Sequence, residues 1–130
     1  MRTAGERLGW ALAAYRFTRY RSEEAKDVRL VLPEGASADS PAPLVLWIHG
    51  GPLSSWNAWS WRWCPWLLVA QGYAVLLPDP ALSTGYGQDF IQRGWGRWGA
   101  EPYTDILALT DAAEARDDVE LWGAALRLLP

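Results

Sequence analysis

The most distinct pattern along the 130-residue chain is an unbroken apolar run, Leu44, Val45, Leu46, Trp47 and Ile48, that ends at His49 and passes at once into Gly50, Gly51 and Pro52. An apolar run of this length bounded by glycine and proline predicts a buried strand over 44–49 that stops at a turn. A second such run, "YAVLLPD" over 73–79, predicts another strand, and "WRWCPWLLVAQ" over 61–71 between them predicts a helix stopped by Gly72. Strand, helix and strand in this order form a βαβ unit with parallel strands and a right-handed crossover. Upstream, "DVRLVLPEG" predicts a short strand closed by Pro33 and Gly35, followed by the small-residue linker "ASADSPAP". Downstream, a Gly-rich loop is expected from Pro80 to Glu101. Pro102 suits the first turn of a helix over 103–116, with an apolar stripe at Ile106, Leu109 and Ala113. Leu8, Leu12 and Tyr15 share one helical face, which predicts an amphipathic helix within 1–22. The pattern divides the chain into an amino-terminal segment, 1–27, and an α/β unit, 28–130, with a mostly parallel sheet flanked by helices.

Composition narrows the classes. With 50% apolar and 21% charged residues the chain reads as globular, and a net charge of −3 with scattered basic residues offers no field for nucleic acid. One cysteine and one histidine cannot supply the usual ligands of a structural metal, so no structural metal is expected. No apolar run approaches the ~18 residues of a membrane span, and no signal peptide is read, which makes a cytoplasmic location, away from membranes, the expectation.

Several patterns resemble sites but fail on context. "GWGRWG", Gly94 to Gly99, spells the dinucleotide fingerprint with Asp117 at ribose-binding distance, yet no strand precedes it and the helix opens only at Pro102. "ALSTG" around Ser83 resembles a nucleophile elbow. Pro78 and Pro80 interrupt the required strand-to-helix turn, however, and no histidine follows, so Ser83 reads as a loop residue. Cys64 within "WRWCPW" reads as a small buried hydrophobe rather than a nucleophile activated by His49. The tryptophans at 56, 59, 63 and 66 fall at helical spacing, which predicts that most of them, with Trp61 nearby, bury as core while one or two line a pocket.

The loop after the first parallel strand carries the chemistry. Acyl transfer needs backbone N–H groups aimed at the developing oxyanion, and glycines let the main chain approach without a side chain in the way. "PLVLWIHGGP", "QGYAVLLPD", "STGYGQDF" and "WGRWGAEPYTDI" resemble, in order and approximate spacing, the start of the catalytic domain of the prolyl oligopeptidase family, in its acylaminoacyl-peptidase and dipeptidyl-peptidase-like branch. The resemblance runs from about Val28 to Val119. It implies an α/β-hydrolase fold, a serine mechanism acting on peptide or acyl-peptide substrates without metal or organic cofactor, and Gly51 as the oxyanion-hole N–H. Gly50 then shapes the loop, Pro52 fixes its exit, and His49 orients the loop without being the triad histidine.

Two departures qualify what is implied. Where the family often has Arg-Gly ahead of Ser-Thr-Gly-Tyr-Gly, this chain has Ala81 and Leu82. After "ARDDVE" it runs "LWGAALRLLP", with no Gly-x-Ser-x-Gly-Gly elbow. The expectation is therefore a partial α/β-hydrolase domain truncated before its nucleophile, without Ser, Asp or His of a triad, inactive alone and marginally stable unless a partner covers its sheet. Two alternatives accompany it. One is a non-catalytic or remnant protein that binds a partner through an exposed sheet edge or Trp-rich face; the other is completion of the triad by a separate complementing chain or oligomer.

Overall fold

The computed structural model describes residues 16–20, 28–58 and 60–121. Five strands form one sheet: β1 (Arg16–Tyr20), β2 (Val28–Leu32), β3 (Ala42–Leu46), β4 (Ala74–Pro78) and β5 (Val119–Glu120), in the order β1-β2-β4-β3-β5. β3 pairs parallel with β4 on one side and with β5 on the other, as the βαβ pattern requires. β2 pairs antiparallel with both β4 and β1, adding an antiparallel ribbon to the parallel part.

Strand alternation divides the core into two faces. Leu30, Leu32, Leu44, Ala74 and Leu76 pack together on one face, under Leu109 and Ala113 of helix α3 (Glu101–Glu114). Val31, Val75 and Leu77 pack on the other face with Trp56 and with Val69 of helix α1 (Trp66–Val69). Every residue of β4 is buried, as befits a strand covered on both faces. Each fully buried Leu or Val here contributes about 1.5–3 kcal/mol.

Several expectations change. Arg16–Tyr20, which helical spacing placed at the end of an amino-terminal helix, form β1 instead; residues 1–15, with Leu8, Leu12 and Tyr15, lie outside the described residues. Its backbone is satisfied by pairing with β2, a tertiary contact that local periodicity does not encode. The helix expected over 61–71 shrinks to the four residues of α1 and begins after Pro65. A proline at that point inside a helix would lack the N–H and clash with the preceding turn. The tryptophan spacing consequently loses its meaning: Trp56 is buried and Trp66 partly so, but Trp63 is exposed and Trp61 is 84% exposed, while Trp59 is outside the described residues. Finally, the loop expected from Pro80 to Glu101 contains helix α2 (Gln88–Gly94), with Asp89 in its first turn and Arg93 in its last.

The strand expected as buried over 44–49 also shifts: β3 starts at Ala42, where Ala42 and Pro43 pair with β5, and ends at Leu46, leaving Leu46 and Ile48 exposed. The remaining boundaries follow the sequence. β2 ends at Pro33 and turns at Gly35, Gly72 adopts φ 91° after α1, and Pro102 sits in the first turn of α3. No helix among the described residues is long and apolar enough to cross a membrane.

Candidate active-site loop

Two loops converge at the carboxyl ends of the parallel strands β3 and β4, the edge at which open α/β sheets place their ligand crevices. The first runs from Trp47 through His49, Gly50, Gly51 and Pro52 to Asn57. The second runs from Asp79 to Gly87. Backbone and side-chain bonds lace them together: Thr84 N–H donates to Ser54 O at 2.9 Å, and Asn57 Nδ2 donates to Thr84 O at 2.8 Å.

Within the first loop, Gly50 and Gly51 are exposed and Gly51 has φ 64°, a conformation that suits glycine. A β-carbon built on Gly51 would meet nothing within 4 Å, so the surface beside its backbone is open. A cavity of about 210 Å³ adjoins it, with Pro52, Leu82, Trp98 and Ile106 in its wall. On the other side of the loop, a second cavity of about 350 Å³ is lined by Gly50, Trp47, Trp56 and Trp63. Trp47 meets Trp56 and Trp63 edge to face, with ring centroids 5.8 and 6.3 Å apart.

His49 borders both cavities, yet its ring is largely withdrawn from solvent. Its side chain is only 6% exposed, and its Nε2 lies 2.9 Å from Ser83 Oγ and 3.5 Å from Asp79 Oδ1. A serine, a histidine and an acid thus meet, yet not as a catalytic triad. In a triad the acid holds Nδ1 while the serine faces Nε2, so that the ring carries a proton between them. Here both groups face the same nitrogen, Nδ1 is buried with no hydrogen-bond partner among the described residues, and Ser83 is 0% exposed. Ser83 is a buried loop residue, in keeping with its sequence context.

Asp79 closes the network. Its Oδ1 accepts the Trp56 N–H at 2.8 Å and its Oδ2 accepts the Tyr86 hydroxyl. Burial pushes its carboxyl above the ordinary value of 3.8, while the bonds from Tyr86 and Trp56 and the nearby His49 and Arg29 pull it back down. Asp105, from α3, braces the second loop: its Oδ2 accepts Ala81 N–H at 2.7 Å and pairs with Arg93 of α2. Burial raises Asp105 as well, against the lowering influence of Ala81 N–H and Arg93.

Asp79, Tyr86 and Asp105 were not singled out from the sequence, although two left a signal. Asp79 is an acid at the end of an otherwise apolar strand, and Asp105 lies four residues before Leu109 on the apolar stripe of α3. Cys64 is buried just before Pro65. The glycines of "GWGRWG" lie at the end of α2 and in the turns before α3, with no strand leading into them. No cluster of three or more His, Cys, Asp or Glu suited to a metal occurs among the described residues.

A sheet with two post-strand loops meeting over β3 and β4, and helices on both faces, is the first part of an α/β-hydrolase fold. The acylaminoacyl peptidase of Pyrococcus horikoshii superposes on 92% of this chain and 20% of its own, with TM-score 0.72 and 22% identity. An acylaminoacyl peptidase in complex with Z-Gly-Gly-Phe-chloromethyl ketone matches 82% of this chain and 17% of its own, with TM-score 0.65 and 26% identity. The chain belongs to the prolyl oligopeptidase family, whose sequence pattern matches residues 59–121. It is 43% identical over 82 residues to dipeptidyl-peptidase 5 of Aspergillus oryzae, covering 60% of this chain and 11% of that protein. To dipeptidyl-peptidase 5 of Trichophyton equinum it is 38% identical over 92 residues, covering 70% and 12%. The chain thus spans about a tenth of the length of these curated relatives.

Proposed function

We propose that this chain supplies the oxyanion-loop portion of a serine peptidase domain that hydrolyses peptide or acyl-peptide bonds through an acyl-enzyme, and that it does not turn over substrate by itself. The observation that carries the reading is the exposed Gly51 backbone, at φ 64° beside an open cavity, in a loop that leaves a central parallel strand. Such a backbone can present an N–H to a carbonyl oxygen as it becomes negative. Family membership and a structural neighbour that carries a peptide-derived chloromethyl ketone support a peptide as substrate. Inactivity follows from His49, the chain's only histidine, which is spent on a buried serine with the acid at the wrong nitrogen.

The test is labelling by a fluorophosphonate, which requires an activated serine. The purified chain should not be labelled. Mixed with the carboxyl-terminal part of the catalytic domain of Aspergillus oryzae dipeptidyl-peptidase 5, it should restore labelling. Gly51→Pro, which lacks the N–H and whose ring also fixes φ near −65° against the 64° found here, should then lower the labelling rate by at least about 10²-fold. Gly51→Ala keeps the N–H and meets no neighbour; φ 64° strains an L-residue by only about 1–2 kcal/mol, so its rate should fall far less. Labelling of the chain alone, or equal behaviour of the two variants, contradicts the proposal.

A second reading, a non-catalytic module that binds a partner protein, draws on the exposed Trp61, Trp95, Trp98 and Leu67. A stable complex with the complementing polypeptide that never labels favours that reading.

A further inference from the structure

We propose that Ser83 and Asp79 are positioning residues for the His49–Pro52 loop, acting through a single neutral tautomer of His49 that carries its proton on Nε2. Its functional meaning rests on reading Gly51 as an oxyanion donor, whereas the arrangement itself does not.

Between Ile48 and Gly51 one side chain is turned inward. Ile48, Gly50 and Gly51 are exposed, whereas the His49 side chain between them is 6% exposed and turned into the protein. What it meets there is fixed from several directions. Ser83 is fully buried, and its N–H donates to Pro80 O at 3.0 Å. The adjoining Ala81 is held by Asp105 of α3, and Asp79 is held by the Trp56 N–H and the Tyr86 hydroxyl. The ring therefore docks against a rigid wall, and Gly51, two residues along, takes its direction from that docking.

The wall also selects the protonation pattern. With the proton on Nε2, the ring donates to Ser83 Oγ at 2.9 Å and turns the positive end of its N–H toward the Asp79 carboxylate 3.5 Å away. With the proton on Nδ1, the Nε2 lone pair would face that carboxylate and a buried N–H would have no acceptor among the described residues. Serine thus supplies the acceptor, and the acid supplies the charge that fixes which nitrogen donates. Neither group touches substrate in this scheme; both act on it through the loop.

Because His49 is the only histidine, histidine-selective ¹⁵N labelling of the full chain yields one pair of ring nitrogens and no assignment ambiguity. Long-range ¹H–¹⁵N correlation at neutral pH should show a protonated Nε2 and an unprotonated Nδ1. An Nδ1–H ring, an averaged pair or an imidazolium overturns the proposal. In Asp79→Asn, which keeps the shape and loses the charge, the two tautomers should mix. In Ser83→Ala the Nε2–H form should persist. In both variants the Gly50 and Gly51 amide peaks should move while Leu109 in α3 stays in place. Gly50 and Gly51 peaks unchanged from the parent in both variants, or Asp79→Asn folded with the parent's ring pattern, refute the positioning role. If Asp79→Asn does not fold, the parent ring pattern together with the Ser83→Ala glycine shifts decides alone. Failure of Gly51 in the labelling experiment leaves all these spectra as they are, so the two ideas fail separately.

Discussion

At Leu82 the backbone and the side chain make opposing demands. Its φ of 81° is left-handed, a conformation that costs an L-residue about 1–2 kcal/mol, and it is the one described non-glycine residue with positive φ. The family pattern tends to place glycine at this position, where the strain vanishes. Yet the Leu82 side chain is 1% exposed and packs against Gly94 of α2. Removing a buried leucine side chain down to alanine costs about 2–5 kcal/mol, more than the strain that glycine would relieve. Leu82→Gly should accordingly lower stability by about 1–3 kcal/mol, read as a drop in the urea midpoint. A raised midpoint would mean that strain outweighs packing here. The same residue neighbours Ser83, so the strained turn also fixes where the His49 ring docks.

Helix α2 meets that side chain with a glycine. Phe90 and Gly94, four residues apart, are its buried positions, and a β-carbon on Gly94 would lie 2.6 Å from Leu82 Cγ. Alanine normally stabilises a helix by up to about 1 kcal/mol relative to glycine. Here the fully buried Leu82 has no room to retreat, and overpacking costs about 1–3 kcal/mol, so Gly94→Ala should destabilise the protein. Combined with Leu82→Ala the clash disappears, and a double-mutant cycle should return a favourable coupling of about 1 kcal/mol or more. Additive effects would show that the helix shifts freely. α2 has no periodic signature in the sequence for a physical reason: its seven residues bury only Phe90 and Gly94, too few to leave an apolar stripe. β2, β4 and α3 were legible because each carries its own apolar pattern and a proline or glycine boundary. Pro65 is equally legible as a boundary, and it confines the helix around it to the residues that follow. β1 was hidden because its pairing with β2 is a tertiary contact. For the site, His49, Gly50 and Gly51 could be read from the glycine-bounded strand end, whereas the bonds from Asp79, Ser83 and Asp105 depend on loops that meet only when the sheet forms.

Across the whole molecule, two buried carboxylates tie the helices and loops to the sheet, and both have their pKa raised chiefly by burial. A carboxyl with a raised folded pKa binds its proton more tightly in the native state than in the unfolded chain. Its favourable contribution is therefore fully present below the ordinary value of 3.8 and is lost as pH rises through the higher folded value. This is opposite in sign to a surface carboxylate stabilised by an ion pair. Asp105 allows the cleaner test, because it lies on α3, away from the His49 ring, and its partners Ala81 N–H and Arg93 can bond to an asparagine oxygen as well. Asp105→Asn removes the titration and keeps the shape. The stability of the parent relative to this variant should improve as pH is lowered from 7 toward about 4, with both followed by urea unfolding at each pH. If the parent instead loses ground to Asp105→Asn on acidification, the ion pair with Arg93 outweighs burial, and the bond between α2 and α3 is electrostatic in origin rather than a cost the fold carries to hold the second loop in place.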